Sequence, residues 1–238
     1  MKEVFMYRCV FFICTLLISI GSRAVMIDYR HEIMDNTGNT HKDRLLVSHR
    51  FSSGFGLSLE GKWKGAKNKD KAYHETVSNG TEVVASYVHK VNNRLQMEPG
   101  FSLDSGSSSN NYRPYLRGKL LIQDGLTASL RFRPYYKRYS GNIGSEHKTS
   151  EKGFNLTGVI SLVELSNSQI DYELDYKKTS TGGVVLANNK NHEWAHDIKL
   201  TYKINSSWSP HIAVGNVSGS RYTSERQTRY RVGVSYLF

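Results

Sequence analysis

From Arg229 to Phe238 the chain alternates with a period of two. Tyr230, Val232, Val234, Tyr236 and Phe238 stand against Arg229, Arg231, Gly233 and Ser235. A strand sends successive side chains to opposite faces, so this segment predicts one aromatic, apolar face and one small or cationic face. The pattern recurs upstream. Phe55, Leu57, Leu59, Gly61 and Trp63 oppose Ser58, Glu60, Lys62 and Lys64; Leu126, Ala128, Leu130, Phe132 and Tyr136 oppose Arg131, Arg133, Tyr135 and Lys137. Ile170, Leu174 and Tyr176 oppose Asp171, Glu173 and Asp175, and Trp194, Ile198, Leu200, Tyr202 and Ile204 oppose Asp197, Lys199 and Lys203. No stretch sustains a helical period, and there are only 4 prolines.

About twelve such segments can be marked off, joined alternately by tight turns and longer polar connections. The short turns fall at Ser52-Ser53-Gly54, Asn92-Asn93, Asp124-Gly125, Ser166-Asn167 and Asn205-Ser206-Ser207, all with turn chemistry. The longer connections, rich in Lys, Asn, Ser and Gly, lie near 35–42, 65–79, 104–111, 140–151, 179–191 and 218–227. Short turns on one side and long loops on the other are the pattern of an all-β, transmembrane, antiparallel up-and-down β-barrel, its even strand count placing both termini on the periplasmic side. Aromatics near strand ends (Tyr29, Phe51, Trp63, Tyr136, Trp208, Tyr236, Phe238) suit interfacial girdles. A soluble sandwich also alternates, but it does not account for the loop lengths or the aromatic strip that ends on Phe238.

The N-terminus adds an address. Lys2 and Arg8 precede an apolar run, Cys9 to Ile20, and Ser22-Arg23-Ala24 supplies a small-x-small cleavage site. Residues 1–24 are therefore expected to be a signal peptide and 25–238 an outer-membrane β-barrel. The apolar run falls short of the roughly 20 residues of a membrane-spanning helix. Both cysteines, Cys9 and Cys14, belong to it, so the exported chain is expected to hold no disulfide. Loss of Lys2, Glu3, Arg8 and Arg23 lowers the formal net charge from +11 to about +9. Such a basic chain suits nucleic acid, anionic lipid or an acidic solute, and export argues against the first.

The polar strand faces carry the functional signal. Arg113, Tyr115, Arg117 and Lys119 share one face of the sixth segment; Arg131, Arg133, Tyr135 and Lys137 share the matching face of the seventh, across the Asp124-Gly125 turn. Arg30, Arg44, Arg50 and Lys62 on the first three segments, with Arg229 and Arg231 on the last, extend a basic lining. Asp171, Glu173 and Asp175 form an acidic wall on the ninth, expected to stand roughly across from the basic one. A barrel of this size lies between small barrels filled by side chains and wide aqueous pores. With a Debye length of about 8 Å at physiological salt, fixed charges would act across much of the bore. Guanidinium groups hold carboxylates bidentately, Tyr115 and Tyr135 could pack on sugar faces, and exchangeable weak sites permit release. Against this, Glu60, Glu98 and Asp197 share the lumen phase and would brace some of these arginines.

Other motifs are weaker. RFRPYYKRY (131–139) mixes basics and aromatics as nucleic-acid patches do, but its alternation fits a strand. His74-Glu75 and His192-Glu193 lack the second His of a helical zinc site, so neither metal nor cofactor is expected. A barrel enzyme acting on lipid would need a Ser with an adjacent base, and the neighbours Ser48 and His49 point to opposite faces.

The segments HKDRLLVSHRF (41–51), GLSLEGKWK (56–64), NGTEVVASYVHK (79–90), MEPGF (97–101), YRPYLRGK (112–119) and ERQTRYRVGVSYLF (225–238) together resemble the oligogalacturonate-specific porins (KdgM-type). The resemblance implies a monomeric twelve-stranded channel of the bacterial outer membrane. It would be embedded in outer-membrane lipid and pass acidic oligosaccharides from pectin breakdown along lumen arginines and lysines. A sialic-acid channel is a related branch with the same barrel; the KDR…SHRF and GKWK segments look nearer the oligogalacturonate branch.

Overall fold

The computed structural model describes residues 25–35, 41–65, 76–140, 149–163 and 167–238. The signal segment expected at 1–24, His74-Glu75, Ser166 and parts of the connections near 35–42, 65–79 and 140–151 lie outside these residues. The described chain forms twelve antiparallel strands. They are β1 Val25–Met34, β2 His41–Arg50, β3 Phe55–Lys64, and β4 Val77–Tyr87, which resumes past Val88 as His89–Lys90. Next come β5 Leu95–Ser105, β6 Ser109–Gln123, β7 Leu126–Tyr139 and β8 Ser150–Val163. The last four are β9 Ser168–Thr179, β10 His192–Tyr202, β11 Trp208–Ser218 and β12 Arg226–Leu237.

Each strand pairs with its sequence neighbours, and β12 closes on β1 through a ladder running from Met26↔Leu237 to Met34↔Arg229. Closure removes every sheet edge, so no row of backbone donors is left unpaired along the wall. Phe238 donates its backbone N–H to Val25 at 3.0 Å, which ties the two ends of the described chain together.

Inside and outside are reversed relative to a water-soluble fold. Among the described residues the buried apolar side chains are only Tyr135, Ala187, Ala213 and Val217, whereas Asp28, Glu32, Glu98, Asp171 and Asp197 are buried in the interior. Leu59, Leu130, Ile160, Ile198, Ile212 and Val232 are each more than half exposed on the outer wall. The alternation seen in sequence thus turns its apolar phase outward, as a wall against hydrocarbon requires. Two aromatic bands border it. At the turn end Phe51, Phe55, Trp208, Tyr236 and Phe238 gather, with Trp208 and Tyr236 ring centroids 4.7 Å apart. Toward the loop end, rings run from Phe132 to Phe154, Tyr176 and Trp194 across β7 to β10 at 5.6, 6.1 and 4.4 Å.

The barrel is taller on one side: β1 to β3 have 10 residues each, but β6 has 15 and β7 and β8 have 14 each. A tilted strand needs about 9–11 residues to cross a bilayer, so β6 to β8 project beyond it. One connection is shorter than expected. The segment read as a long loop at 104–111 is mostly strand, with only Gly106 to Ser108 outside it and Gly106 donating to Ser109 at 2.9 Å. Its serines and asparagines resemble loop composition, yet they extend the ladder β5–β6 as far as Ser105↔Asn110.

Candidate functional site

The inward phase of all twelve strands converges on two cavities. One, of about 490 Å³, opens at the loop end among Lys64, Asp104, Arg113, Arg133, Lys137 and Lys177. The other, of about 660 Å³, lies at the turn end among Arg30, Arg44, Arg117, Lys119, Asp171, Glu173, Asp197, Lys199 and Arg231. Glu60, Lys62, Glu82 and Arg131 line neither cavity; on β7 Arg131 falls between Arg133, which lines the first, and Ser129, which lines the second, and this level is the neck of the bore.

Every basic position expected on the lumen faces it, but the positions fall into two groups. One is paired. Around β1 to β6, Arg44 binds Asp28 and lies 3.4 Å from Glu60; Lys62 contacts Asp104 at 2.8 Å, Glu82 at 3.6 Å and Glu60 at 3.7 Å. Arg113 continues the chain to Glu82 at 2.7 Å and Asp104 at 3.5 Å. Glu98 gathers Arg50 at 3.0 Å and Arg117. Arg229 and Arg231 share Asp197 of β10, and across the closing seam Arg231 reaches Glu32 at 2.8 Å. Carboxylates removed from water are tolerated because each meets one or more cations.

The second group makes no ion pair among the described residues: Arg30, Lys119, Arg131, Arg133 and Lys137. The Nε atoms of Arg30, Arg131 and Arg133 are buried without a hydrogen-bond acceptor. Arg131 reaches only the Thr157 hydroxyl, at 3.3 Å, and Lys137 lies over the Tyr139 ring, 4.8 Å from its centroid. Arg131 sits directly across from the paired Arg117, so the wall of β6 and β7 carries cations from the upper cavity through the neck to Lys119 below.

The acidic wall is real but stands elsewhere than expected. With strands in sequence order, β9 lies only two places from β7 and three from β12, so Asp171, Glu173 and Asp175 flank the basic face rather than oppose it. Basic β6 instead faces basic β12 across the bore, six places apart in a ring of twelve. Between β7 and β9, β8 supplies neutral spacers. Thr157 donates to Asp175 at 2.6 Å and accepts from Arg131, while Asn155 donates to Asp175 at 3.0 Å. Asp171 accepts from Gln169 at 2.7 Å and pairs with Lys199 at 3.0 Å.

The two tyrosines are also placed differently. Tyr115 and Tyr135 lie flat against the wall over glycines on the next strand, paired as Gly100↔Tyr115 and Tyr135↔Gly153. A Cβ on either glycine would strike the ring, Tyr115 above Gly100 and Tyr135 above Gly153. Their hydroxyls are spent on carboxylates, Tyr115 on Glu98 at 3.3 Å and Tyr135 on Glu151 at 2.6 Å. Tyr135, only 5% exposed, is part of the frame rather than a free sugar platform.

Sequence reading missed the ladder gap beside these residues. Between Tyr112↔Tyr136 and Leu116↔Phe132 no pairs form, because Pro114 and Pro134 face each other and neither has an N–H to give. A proline at the same place in two adjoining segments was the available signal. It also missed the acids Asp28, Glu32, Glu82 and Asp104, which inward parity alone would have identified.

Known proteins share this barrel. A family model described as oligogalacturonate-specific porin protein (KdgM) matches residues 18–238. The chain is 55% identical over 225 residues to the oligogalacturonate-specific porin KdgM of Dickeya dadantii (strain 3937), covering 93% of this chain and 95% of that one. It is 31% identical over 228 residues to the uncharacterized protein YiiY of Salmonella typhimurium, covering 95% and 96%. A solved KdgM porin in complex with disordered oligogalacturonate is 48% identical, with a TM-score of 0.68 over 90% of this chain and 99% of that one. A NanC porin shares the fold at 18% identity and a TM-score of 0.74, covering 88% and 98%.

Proposed function

Because the chain belongs to the oligogalacturonate-specific porin family of the bacterial outer membrane, we propose that it is a passive, anion-selective channel admitting oligogalacturonates to the periplasm. The observation that carries the reading is the pair Arg131 and Arg133. They project from β7 at and just above the neck, without a carboxylate partner among the described residues and with buried Nε donors to spare. A uronate carboxylate passing that level meets guanidinium groups whose charge is not already spent, and planar guanidinium holds carboxylate in two-point contact. Arg30, Lys119 and Lys137 supply further unpaired cations on either side, so the anion is handed along a series of weak sites and released. Paired residues of the lining (Arg44, Arg50, Lys62, Arg113, Arg117, Arg229, Arg231) hold the bore open and set its shape. The solved relative that holds oligogalacturonate supports the same substrate class. One chain supplies every wall of the bore, and the protein acts as a monomer after removal of residues 1–24, which N-terminal sequencing of the exported protein at Val25 would verify.

The test is single-channel block in planar bilayers. Trigalacturonate is expected to reduce the wild-type current at concentrations where a neutral trisaccharide of equal length does not. Equal block by both sugars would defeat the proposal.

A further inference from the structure

Basic residues also occupy the outer wall, where the lumen account gives them no task. Arg138 on β7, Lys152 on β8 and Lys178 on β9 all face outward at the loop end. Lys152 stands across from Tyr136, whose ring stacks on Tyr112, and Lys178 across from Phe154 of the aromatic band. Arg138 lies one step above Tyr136 on the same face. Successive members of the row are diagonal neighbours on adjacent strands, about 7–8 Å apart. His192 stands directly across from Lys178, with its ring 5.8 Å from Tyr176. Farther round, Arg226 is fastened at the same rim by donating to the Trp194 carbonyl at 3.0 Å.

No carboxylate answers this row among the described residues. Glu151 faces inward and accepts from Tyr135 and Tyr139; Glu193 pairs with the inward-facing Lys177 at 3.8 Å. The patch is also one-sided. On β1 to β3 the corresponding outer positions hold Ile33, His41, Asp43 and Trp63, and Asp43 accepts the Tyr29 hydroxyl at 2.6 Å. Cations set into an aromatic band lie at headgroup depth, where their natural counter-ions are lipid phosphates. The taller β7 and β8 lift the row to that depth on the extracellular side.

We propose that Arg138, Lys152 and Lys178 form a docking surface for the phosphate-bearing glycolipid of the outer leaflet, held against the wall of β7 to β9. The sugar phosphates contact the three cations, and the acyl chains run down over Phe132, Phe154 and Leu130. Basic residues at a membrane surface each favour an anionic lipid, so losing three lowers retention at least about tenfold.

The test uses the folded protein in detergent, titrated with a bisphosphorylated, hexa-acylated glucosamine disaccharide and read by native mass spectrometry. The dephosphorylated lipid is the control. The parent is expected to retain the phosphorylated lipid and not the control, and the triple variant Arg138→Ser, Lys152→Ser, Lys178→Ser to retain at least about tenfold less. Unchanged conductance would show that the variant has folded; if it does not fold, Lys178→Gln alone serves. Equal retention by parent and variant, or indifference to the phosphates, overturns the proposal. So does weaker block by trigalacturonate with lipid retention intact, which would assign the row to solute capture. Concentration-dependent pairing of two barrels through this face overturns it as well.

Discussion

Replacing Glu98 by Gln separates bracing from selection more cleanly than removing an arginine does. The Glu98 side chain is 7% exposed and engages Arg50, Arg117 and Tyr115, whereas the two guanidinium groups it neutralises are 41% and 42% exposed. Glutamine keeps the shape and an acceptor oxygen but removes the charge, adding one net positive charge to the lumen. At about 8 Å in water a unit charge acts on another with roughly 0.5 kcal/mol, falling to roughly 0.2 kcal/mol with one Debye length of screening. The blocking concentration for trigalacturonate should therefore fall by about twofold, and the reversal potential should move further toward anions. Unpairing these groups costs stability of about 2–4 kcal/mol, visible as a lower temperature for loss of the folded band on heat-modified gels. If the folded variant blocks less well than wild type, or identically, Arg50 and Arg117 do not act on the solute through their charge and the electrostatic reasoning fails.

Other outcomes follow from single contacts. Gly153→Ala drives a Cβ into the Lys178 carbonyl and under the Tyr135 ring, so the barrel should lose heat resistance with little change in ion selectivity. Tyr135→Phe leaves Glu151 only the Tyr139 hydroxyl at 3.0 Å and should cost about 1–3 kcal/mol in denaturant unfolding, again without moving the reversal potential. On the lipid face, Ile198→Lys exposes a charge where the wild-type side chain is 57% exposed. Near the bilayer midplane this should cost about 2–4 kcal/mol in folding into vesicles, and a neutral result would contradict the assignment of that face to lipid.

How much of this was legible in the sequence depends on the range of the interaction. Strand faces were, since alternation is a local property: Tyr230 and Val232 outward with Arg229 and Arg231 inward follows from the period of two. Turn chemistry at Asp124-Gly125 fixed the adjacency of Arg117 and Arg131 in the same way. Pairing of charge was not legible, because whether Arg113 meets Glu82 or Arg131 meets only Thr157 depends on stagger between strands and on bore width. The acidic wall was misplaced for a countable reason: β9 is two places from β7 in the ring. Serine-rich 104–111 read as loop because composition competes poorly with a ladder that recruits those residues from both sides. The tyrosines read as sugar platforms because nothing local reveals that a glycine lies beneath each ring.

The central claim is that unspent guanidinium charge at the neck selects what passes. Reversal potential in a potassium chloride gradient tests it most directly, comparing wild type with Arg131→Ser/Arg133→Ser at equal conductance-verified folding. Wild type should reverse on the anion side, and the double variant should shift toward cations. An unchanged reversal potential would contradict the account.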